Sequence, residues 1–102
     1  MGYIYKITNK LNNKSYIGQT TNTIANRWRD HKKNFNSLQD DMVIHKAMHK
    51  YGETAFVLEQ IEECNNEDLS NREQYWIAYY NTYENGYNST IGGEGAPIVD
   101  RK

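Results

Sequence analysis

Two aromatic tripeptides separated by a short polar turn constrain the fold of this chain more than any other feature. They are Tyr3-Ile4-Tyr5 and Tyr16-Ile17-Gly18, within the β-prone runs Gly2–Asn9 and Ser15–Thr20. The turn at 10–14 contains two asparagines, which tolerate left-handed backbone geometry. The pattern predicts a β-hairpin that brings two tyrosine hydroxyls into one neighbourhood. Because tyrosine is a favoured strand residue, plain sheet packing is the competing interpretation.

Two helices are predicted after the hairpin. The first covers 22–35, and Thr21, Asn22 or Thr23 could cap it. Its apolar stripe, at i, i+4, i+7 and i+11, consists of Ile24, Trp28, His31 and Phe35. The second runs from about 42 to 51, with Asp40 or Asp41 as the cap and Gly52 as the stop signal. Its buried stripe is Ile44, Met48 and Tyr51.

A third strand and a third helix complete the predicted fold. The strand covers 55–62, and the helix runs from 67 to about 80, its start marked by Asn65, Asn66 or both. A turn follows at Asn85-Gly86. The order β-β-α-α-β-α predicts a small α/β (α+β) domain, with a three-stranded, largely antiparallel sheet flanked by about three helices. We expect this domain to occupy residues 1–91, with 92–102 as a glycine-rich linker.

Length and cysteine usage restrict the class of protein. A chain of 102 residues forms one domain with a modest core. No apolar run approaches the ~20 residues of a membrane span, so no membrane association is expected. The single cysteine, Cys64, excludes an intrachain disulfide and fits a reducing cytosol, which predicts a cytoplasmic protein.

Charge is distributed unevenly along the chain. Residues 1–51 hold nine Lys and Arg against three Asp, whereas 52–102 hold three basic residues against ten acidic ones. Such a molecule can present a basic face to a polyanion, although the asymmetry could also be an accident of a solvated surface. The isoelectric point of about 6.3 argues against tight stand-alone binding of nucleic acid.

Polar residues interrupt two of the apolar stripes. The apolar stripe of the third helix consists of Leu69, Trp76 and Tyr80. Glu73 falls within it, where an ionised carboxylate costs several kcal/mol unless it is paired, hydrogen-bonded or bound to a cation. His31 lies inside the first helix's stripe, and Arg27 precedes it by one turn, so the two side chains can converge. Each residue could instead have a purely structural role. Glu73 could pair with an arginine, His31 could be half-buried with its hydrogen bonds satisfied, and Arg27 could be a solvated charge on the helix.

Together these residues suit one kind of chemistry. The set of two phenols, a guanidinium, an imidazole and a carboxylate lacks the nucleophile–base pair of acyl transfer and the glycine-rich phosphate loop of nucleotide binding. A lone carboxylate can hold Mg²⁺, and arginine can neutralise the charge that builds on phosphorus during phosphodiester hydrolysis. His45 and His49 have an i, i+4 spacing that can bind zinc, but no third ligand presents itself.

In these residues the chain resembles the GIY-YIG endonuclease family, and most of all the catalytic domains of phage and intron homing endonucleases. The likeness covers residues 2–91 and consists of five elements in order. They are Tyr3-Ile4-Tyr5, Tyr16-Ile17-Gly18, the Arg27–His31 stretch, Glu73 and Asn88. Two departures are visible: Tyr3 stands in place of the first motif's glycine, and 38–41 lacks a histidine that some relatives carry before the second helix.

The resemblance implies a role for each matching residue. Glu73 would bind a divalent metal, Mg²⁺ or Mn²⁺, and Arg27 would contact the scissile phosphate. Tyr5 would be the general base for the attacking water, with help from the metal or Arg27, because a phenol has a pKa near 10. Tyr16 would orient the water or the phosphate, His31 could share the proton transfer, and Asn88 would shape the site.

The resemblance also implies a DNA substrate and a partner region. We expect a metal-dependent DNA endonuclease domain, monomeric or weakly dimeric, that acts in a phage or bacterial host cell with a covalently attached DNA-binding region. The residues expected to contact DNA are Arg27, Arg29, Lys32 and Lys14. The alternatives are a binding module that kept the fold without cleavage, and a repair or restriction nuclease. An open cleft shared by Glu73 and Arg27 would favour the nuclease over the module.

Overall fold

The N-terminal hairpin has the strand limits that the sequence predicts. In the computed structural model, which describes residues 1–34 and 42–91, strand β1 spans Gly2–Asn9 and antiparallel strand β2 spans Ser15–Thr20. In the turn, Asn13 has a φ of 63°, the left-handed region that asparagine tolerates. The Asn12 side-chain oxygen accepts a hydrogen bond of 2.9 Å from the Lys14 N–H. The predicted left-handed geometry is therefore confirmed for Asn13, whereas Asn12 stabilises the turn through its side chain.

The third strand pairs with the opposite side of β1. Strand β3 spans Phe56–Cys64 and runs antiparallel to β1, so the sheet order is β2-β1-β3. The predicted range of 55–62 was slightly too early, because Ala55 belongs to a 3-10 turn, Glu53–Ala55. The predicted three-stranded antiparallel sheet is confirmed. Its order buries β1 in the centre and leaves β2 at one edge.

Helix α1 spans Ile24–Asn34, and helix α2 spans Val43–Tyr51. The Thr23 hydroxyl caps α1 by accepting a 3.1 Å hydrogen bond from the Asn26 N–H. The residue before α2 is Met42, which makes no side-chain cap hydrogen bond, so the predicted cap at Asp40 or Asp41 was wrong. Those two aspartates and Phe35 lie outside the described residues. Gly52, with a φ of 88°, ends α2 as predicted.

Helix α3 spans Leu69–Tyr80, and a short helix α4, Thr82–Asn85, follows it. The predicted start of α3 was two residues early, because residues 66–68 form a 3-10 turn, and Asp68 rather than Asn65 or Asn66 precedes the helix. Helix α4 was not predicted; left-handed Asn81, with a φ of 55°, separates it from α3. Among the described residues, no helix has the length and apolarity needed to cross a membrane.

The sheet separates two apolar clusters. One lies on the face covered by α1 and α2, and the other lies under α3. The first contains Tyr5, Ile7, Ile44, Ala47, Met48, Ala55, Phe56 and Tyr87; the second contains Ile4, Ile17, Leu69 and Ile77. Two predicted core residues lie at the surface instead: Tyr51 is 36% exposed and Tyr80 is 38% exposed. Ile77, the residue after Trp76 of the predicted stripe, is buried in the core under α3 instead.

Candidate active site

The hairpin register places the two tyrosines of interest on the same face of the sheet. Tyr5 lies opposite Gly18, and Tyr16 lies opposite Ile7, so the two phenols are diagonal neighbours with ring centroids 6.2 Å apart. A Cβ at Gly18 would lie 2.4 Å from the Tyr5 hydroxyl oxygen. A glycine at position 18 therefore leaves the space that the Tyr5 ring occupies. This explains why the second tripeptide ends in glycine.

The Tyr5 hydroxyl is the centre of a hydrogen-bonded group on α1 and β1. Its oxygen accepts a hydrogen bond of 3.0 Å from Arg27 Nε and lies 2.8 Å from His31 Nε2. Arg27 and His31 are one helical turn apart, and both contact the Tyr5 oxygen. Their predicted convergence is therefore confirmed. Tyr5 has no exposed surface and His31 is 1% exposed, whereas Arg27 is only partly buried.

Burial controls the ionisation of the Tyr5 hydroxyl. It raises the pKa of Tyr5 above its usual value, and it outweighs the positive charge of Arg27 and the hydrogen bonds from Arg27 and Tyr16, which lower that pKa. The hydroxyl is consequently protonated near neutral pH. Desolvation lowers the pKa of Arg27, but the neighbouring Tyr5 and Tyr16 side chains and the Asp30 carboxylate together raise it above its usual value. Arg27 thus remains cationic beside the phenol.

His45 belongs to this group, although the sequence analysis considered it only as a zinc ligand with His49. Its Nε2 lies 2.7 Å from His31 Nδ1, and the residue is 4% exposed. His49 is exposed, so the i, i+4 pair does not share a site. Within 1–34 and 42–91, no group of three or more His, Cys, Asp or Glu residues could hold a metal ion. The position of His45 beside Ile44 and three residues before Met48 could have indicated its burial.

Glu73 reaches the site from the opposite face of the sheet. It is 6% exposed on α3, and its Oε1 accepts a hydrogen bond of 2.8 Å from the Gln19 side chain. Arg72, the structural partner that the sequence allowed, instead pairs with Glu62 at 2.8 Å. Gln19 was missed by the sequence analysis; it follows Ile17 by two residues on β2, and this alternation places it on the α3 face.

Arg27 and Glu73 line one cleft of about 250 Å³ at the β2 edge of the sheet. This is the arrangement that favours a nuclease over a binding module. The described lining residues are Tyr16, Arg27, Met42, Val43, Glu73, Tyr87, Asn88, Ser89 and Thr90. Tyr5 and His31 are not among them, because they lie behind the cleft wall. Of the two phenols, therefore, Tyr16 is the one that faces the cleft.

Asn88 holds the edge strand that forms the cleft. Its side-chain oxygen accepts a 2.8 Å hydrogen bond from the Ile17 N–H, and its side-chain nitrogen donates to the Ile17 carbonyl at 2.9 Å. The neighbouring Tyr87 N–H donates to the Ser15 carbonyl at 2.8 Å. These bonds satisfy backbone groups on the outer side of β2 and fix Tyr16 between them.

Only part of the predicted DNA-contacting set lies near the cleft. Arg27 lines it, and Lys14 lines an adjoining groove together with Lys46 and Lys50, which the sequence analysis did not select. This lysine groove, defined by Lys14, Lys46 and Lys50, shares Val43 and Tyr87 with the cleft. Arg29 and Lys32 are exposed on α1 and line neither. The Lys32 ammonium instead lies 5.5 Å from the centre of the Trp28 ring.

Comparison with known proteins identifies this architecture. The family model described as the GIY-YIG catalytic domain matches residues 1–88. The chain is 33% identical over 88 residues to intron-associated endonuclease 1 of Enterobacteria phage T4, covering 83% of this chain and 35% of that protein. It is 37% identical over 84 residues to putative MSV199 domain-containing protein 146R of Invertebrate iridescent virus 6, covering 79% and 34%. The chain thus spans about a third of each relative's length.

A solved structure agrees with the sequence comparisons. The structure of the catalytic domain of homing endonuclease I-TevI superposes with a TM-score of 0.77 at 29% identity, covering 88% of this chain and 99% of that one. The shared features include the three-stranded antiparallel sheet with helices on both faces. The chain therefore belongs to the GIY-YIG family and has the fold of its nuclease catalytic domain.

Proposed function

We propose that this domain hydrolyses DNA phosphodiester bonds with the help of a divalent metal ion, as the catalytic part of a homing-type endonuclease. The observation that carries the proposal is the cleft that Arg27 and Glu73 line together with Tyr16, with the Tyr5 hydroxyl bound to Arg27 behind it. A cation for the phosphate, a carboxylate for a metal and a base for water are the groups that this reaction needs.

The donor atoms of the cleft fit Mg²⁺ or Mn²⁺. Glu73 supplies a carboxylate, and the hydroxyls of Tyr16, Ser89 and Thr90 line the same space. Mg²⁺ prefers oxygen ligands and is usually held by one or two carboxylates, with water and substrate phosphate completing its shell. When bound, the ion would polarise the phosphate and stabilise the charge on the leaving oxygen. The Gln19 hydrogen bond orients the Glu73 carboxylate for this role.

Arg27 connects phosphate binding to proton transfer. Its Nε donates to the Tyr5 oxygen, and a guanidinium keeps further N–H groups on its two Nη atoms. Those groups can bind the non-bridging oxygens of the scissile phosphate from the side that lines the cleft. The same positive charge stabilises the Tyr5 phenolate, so substrate binding and base formation depend on one side chain.

The two tyrosines act as one base. Tyr16 lines the cleft and donates a hydrogen bond to Tyr5, which lies behind it. In the proposed step, the attacking water gives a proton to the Tyr16 oxygen while Tyr16 passes its own proton to the Tyr5 phenolate. Tyr16 is unchanged at the end, and Tyr5 has become a phenol. Tyr5 is thus the base, and Tyr16 orients the water.

The lysine groove supports a DNA substrate. It adjoins the cleft, and its three ammonium groups can follow the phosphates that flank the scissile one. The overall charge of −1 indicates that this domain alone binds DNA weakly. Since the chain spans about a third of the length of its relatives, we propose that a covalently attached DNA-binding region supplies DNA affinity and the choice of target. One site cuts one strand at a time, in a monomer or a weak dimer.

The test is nicking of supercoiled plasmid at low salt, with Mg²⁺ compared with EDTA. We expect metal-dependent nicking by the wild type and a fall of at least about 100-fold in Glu73→Gln and Arg27→Ala, as when a charge-stabilising group is removed. Glu67→Gln and Lys33→Ala are matched controls, because both side chains are exposed and neither lines the cleft.

Two outcomes would contradict the proposal. Nicking that persists in Glu73→Gln would exclude Glu73 as the essential metal ligand. If the wild type is inert, fusion to an unrelated DNA-binding domain supplies the missing affinity. A fusion that binds plasmid and still leaves it intact would identify a binding module without cleavage.

A further inference from the structure

His45 occupies a place beside the candidate active site that the proposed reaction does not yet use. It is buried on α2, and its Nε2 contacts His31 Nδ1 at 2.7 Å. The other nitrogen of His31, Nε2, contacts the Tyr5 hydroxyl at 2.8 Å. Three side chains from β1, α1 and α2 therefore form one continuous line of hydrogen bonds that leads from the phenol into the interior.

We propose that His45 is a positioning residue that holds the proton of His31 on Nδ1, so that the unprotonated His31 Nε2 can accept the proton of Tyr5. The inference rests on the proposed function, since the proton of Tyr5 matters only if Tyr5 is the base. It assigns His45 no contact with the substrate.

The direction of the hydrogen bonds follows from the donors present. Arg27 Nε can only donate, and Tyr16 donates as well, so both acceptor positions of the Tyr5 oxygen are occupied. The Tyr5 proton then has His31 Nε2, at 2.8 Å, as its acceptor. A neutral imidazole carries one N–H, so His31 must have its proton on Nδ1, where it can donate to His45 Nε2. All bonds in the line then point away from the cleft.

This order allows Tyr5 to become a base with full proton balance. The Tyr5 O–H bond breaks, and an N–H bond forms at His31 Nε2. His31 keeps its Nδ1–H, which donates to His45 Nε2, and so becomes an imidazolium. Tyr5 is left as a phenolate between the Arg27 cation and the His31 imidazolium. In the opposite tautomer His31 would donate to the Tyr5 oxygen, and Tyr5 would have no acceptor there for its proton.

A metal shared by the two histidines is a poor explanation of the contact. Two nitrogens on one tetrahedral zinc, each about 2.0–2.1 Å from it, lie roughly 3.3 Å apart. The 2.7 Å separation of His31 Nδ1 and His45 Nε2 is that of a hydrogen bond. The remaining alternative is a histidine that only fills the core between α1 and α2.

The experiment compares two substitutions at position 45. In His45→Gln the amide oxygen can still accept the His31 proton, whereas His45→Leu fills the space without an acceptor. His49→Gln, on the exposed side of the same helix, is the matched control. Ring-nitrogen NMR of His31, assigned with His31→Gln, reports which nitrogen carries the proton. Plasmid nicking gives kcat and KM, and thermal unfolding checks the fold.

We expect the wild type, His45→Gln and His49→Gln to keep the His31 proton on Nδ1, with kcat within about threefold of one another. In His45→Leu the proton should move toward Nε2, and kcat should fall at least about tenfold with KM unchanged, as when a catalytic imidazole is left in the wrong tautomer. If His45→Leu does not fold, His45→Met replaces it in the same comparison.

Three results would overturn the proposal. One is an unchanged His31 tautomer in His45→Leu, whatever its stability. Another is a changed tautomer without a change in kcat. The third is equal loss of kcat in His45→Gln and His45→Leu, which would mean that the imidazole of His45 itself is required. An inert wild type would refute the proposed function instead, and the NMR comparison would still decide the role of His45.

Discussion

At the scale of single residues, the site depends on how completely Tyr5 is enclosed. Its ring lies over Gly18, and its hydroxyl contacts Arg27 and His31 with no exposed surface. Enclosure raises the pKa of the phenol and also fixes the geometry in which it can exchange a proton. Both consequences can be measured separately.

The space above Gly18 is needed for the Tyr5 ring. In Gly18→Ala the new Cβ would lie 2.4 Å from the Tyr5 hydroxyl, so the ring must move away from Arg27 and His31. We expect nicking to fall at least about tenfold, together with a loss of about 1–3 kcal/mol in the free energy of unfolding. Activity assays and urea unfolding measure the two effects.

Gly2→Ala is the control for this prediction. Its Cβ would clash with the Leu69 side chain at 2.4 Å, which is in the cluster under α3. It should reduce stability without a comparable loss of nicking by the folded protein. Full activity in Gly18→Ala would show that the ring position is not critical.

The raised pKa of Tyr5 predicts a loss of stability at alkaline pH. Because the folded-state pKa lies above the ordinary value, the stabilisation is fully present below about pH 10 and is lost as pH rises through the folded-state pKa. Urea unfolding between about pH 8 and 11 should show a smaller decline in Tyr5→Phe than in the wild type. Tyr79→Phe, which is exposed, serves as the control and should decline like the wild type. Parallel curves for Tyr5→Phe and the wild type would contradict the assignment.

At the scale of secondary-structure elements, the site depends on the edge strand β2. An edge strand exposes a row of unpaired backbone groups, and here the segment after α4 covers part of that row. Tyr87 and Asn88 bind the backbone of Ser15 and Ile17, on either side of Tyr16. The cleft therefore has a rigid wall even though it lies at the margin of the sheet.

Removal of the Asn88 side chain should weaken this wall. Asn88→Ala leaves the buried N–H and carbonyl of Ile17 without their partners, which should lower the free energy of unfolding by about 2 kcal/mol. Equilibrium urea denaturation measures the change, with Asn85→Ala on α4 as an exposed control. Equal stability of the two variants would show that the Ile17 groups find other partners. Nicking should fall as well, because Tyr16 is then held less firmly.

At the scale of the whole molecule, the two halves of the chain contribute differently. The basic N-terminal half supplies Arg27 and the lysine groove, whereas the acidic C-terminal half supplies Glu73. Folding places Arg27 and Glu73 in one cleft beside the lysine groove, so a protein with almost no net charge presents basic side chains and a carboxylate at one site.

The lysine groove predicts a specific change in salt dependence. A plot of the logarithm of the binding constant against the logarithm of the salt concentration has a negative slope. If Lys46 and Lys50 each neutralise a phosphate, this slope should be less steep by up to about 1.8 in the Lys46→Gln/Lys50→Gln variant. Fluorescence titration of duplex DNA at several salt concentrations measures that slope. Lys32→Gln/Lys33→Gln removes the same charge from α1, outside the groove. An equal loss of slope in this second variant would refute a special role for the groove.

Local sequence patterns predicted the three strands, the three longer helices and most of the residues of the candidate site. Strand alternation and turn asparagines predicted the hairpin with correct limits, because these signals are local. The helical period placed His31 and Glu73 among apolar residues, which marked both as unusual. The short helix α4 escaped prediction, because a single turn is too short to show a helical period. The exposure of Tyr51 and Tyr80 also escaped prediction, because tertiary packing decides which residues at the edge of an apolar stripe are buried.

Only the tertiary structure decided which residues meet. Whether Glu73 pairs with Arg72 or shares a cleft with Arg27 depends on the packing of α3 across β2, which no local pattern encodes. The same holds for His45, whose contact with His31 joins two separate helices, because no helical period relates residues on different helices. The sequence thus specified the chemical groups through local periodicity, and long-range packing decided their geometry, since contacts between distant segments depend on the whole core.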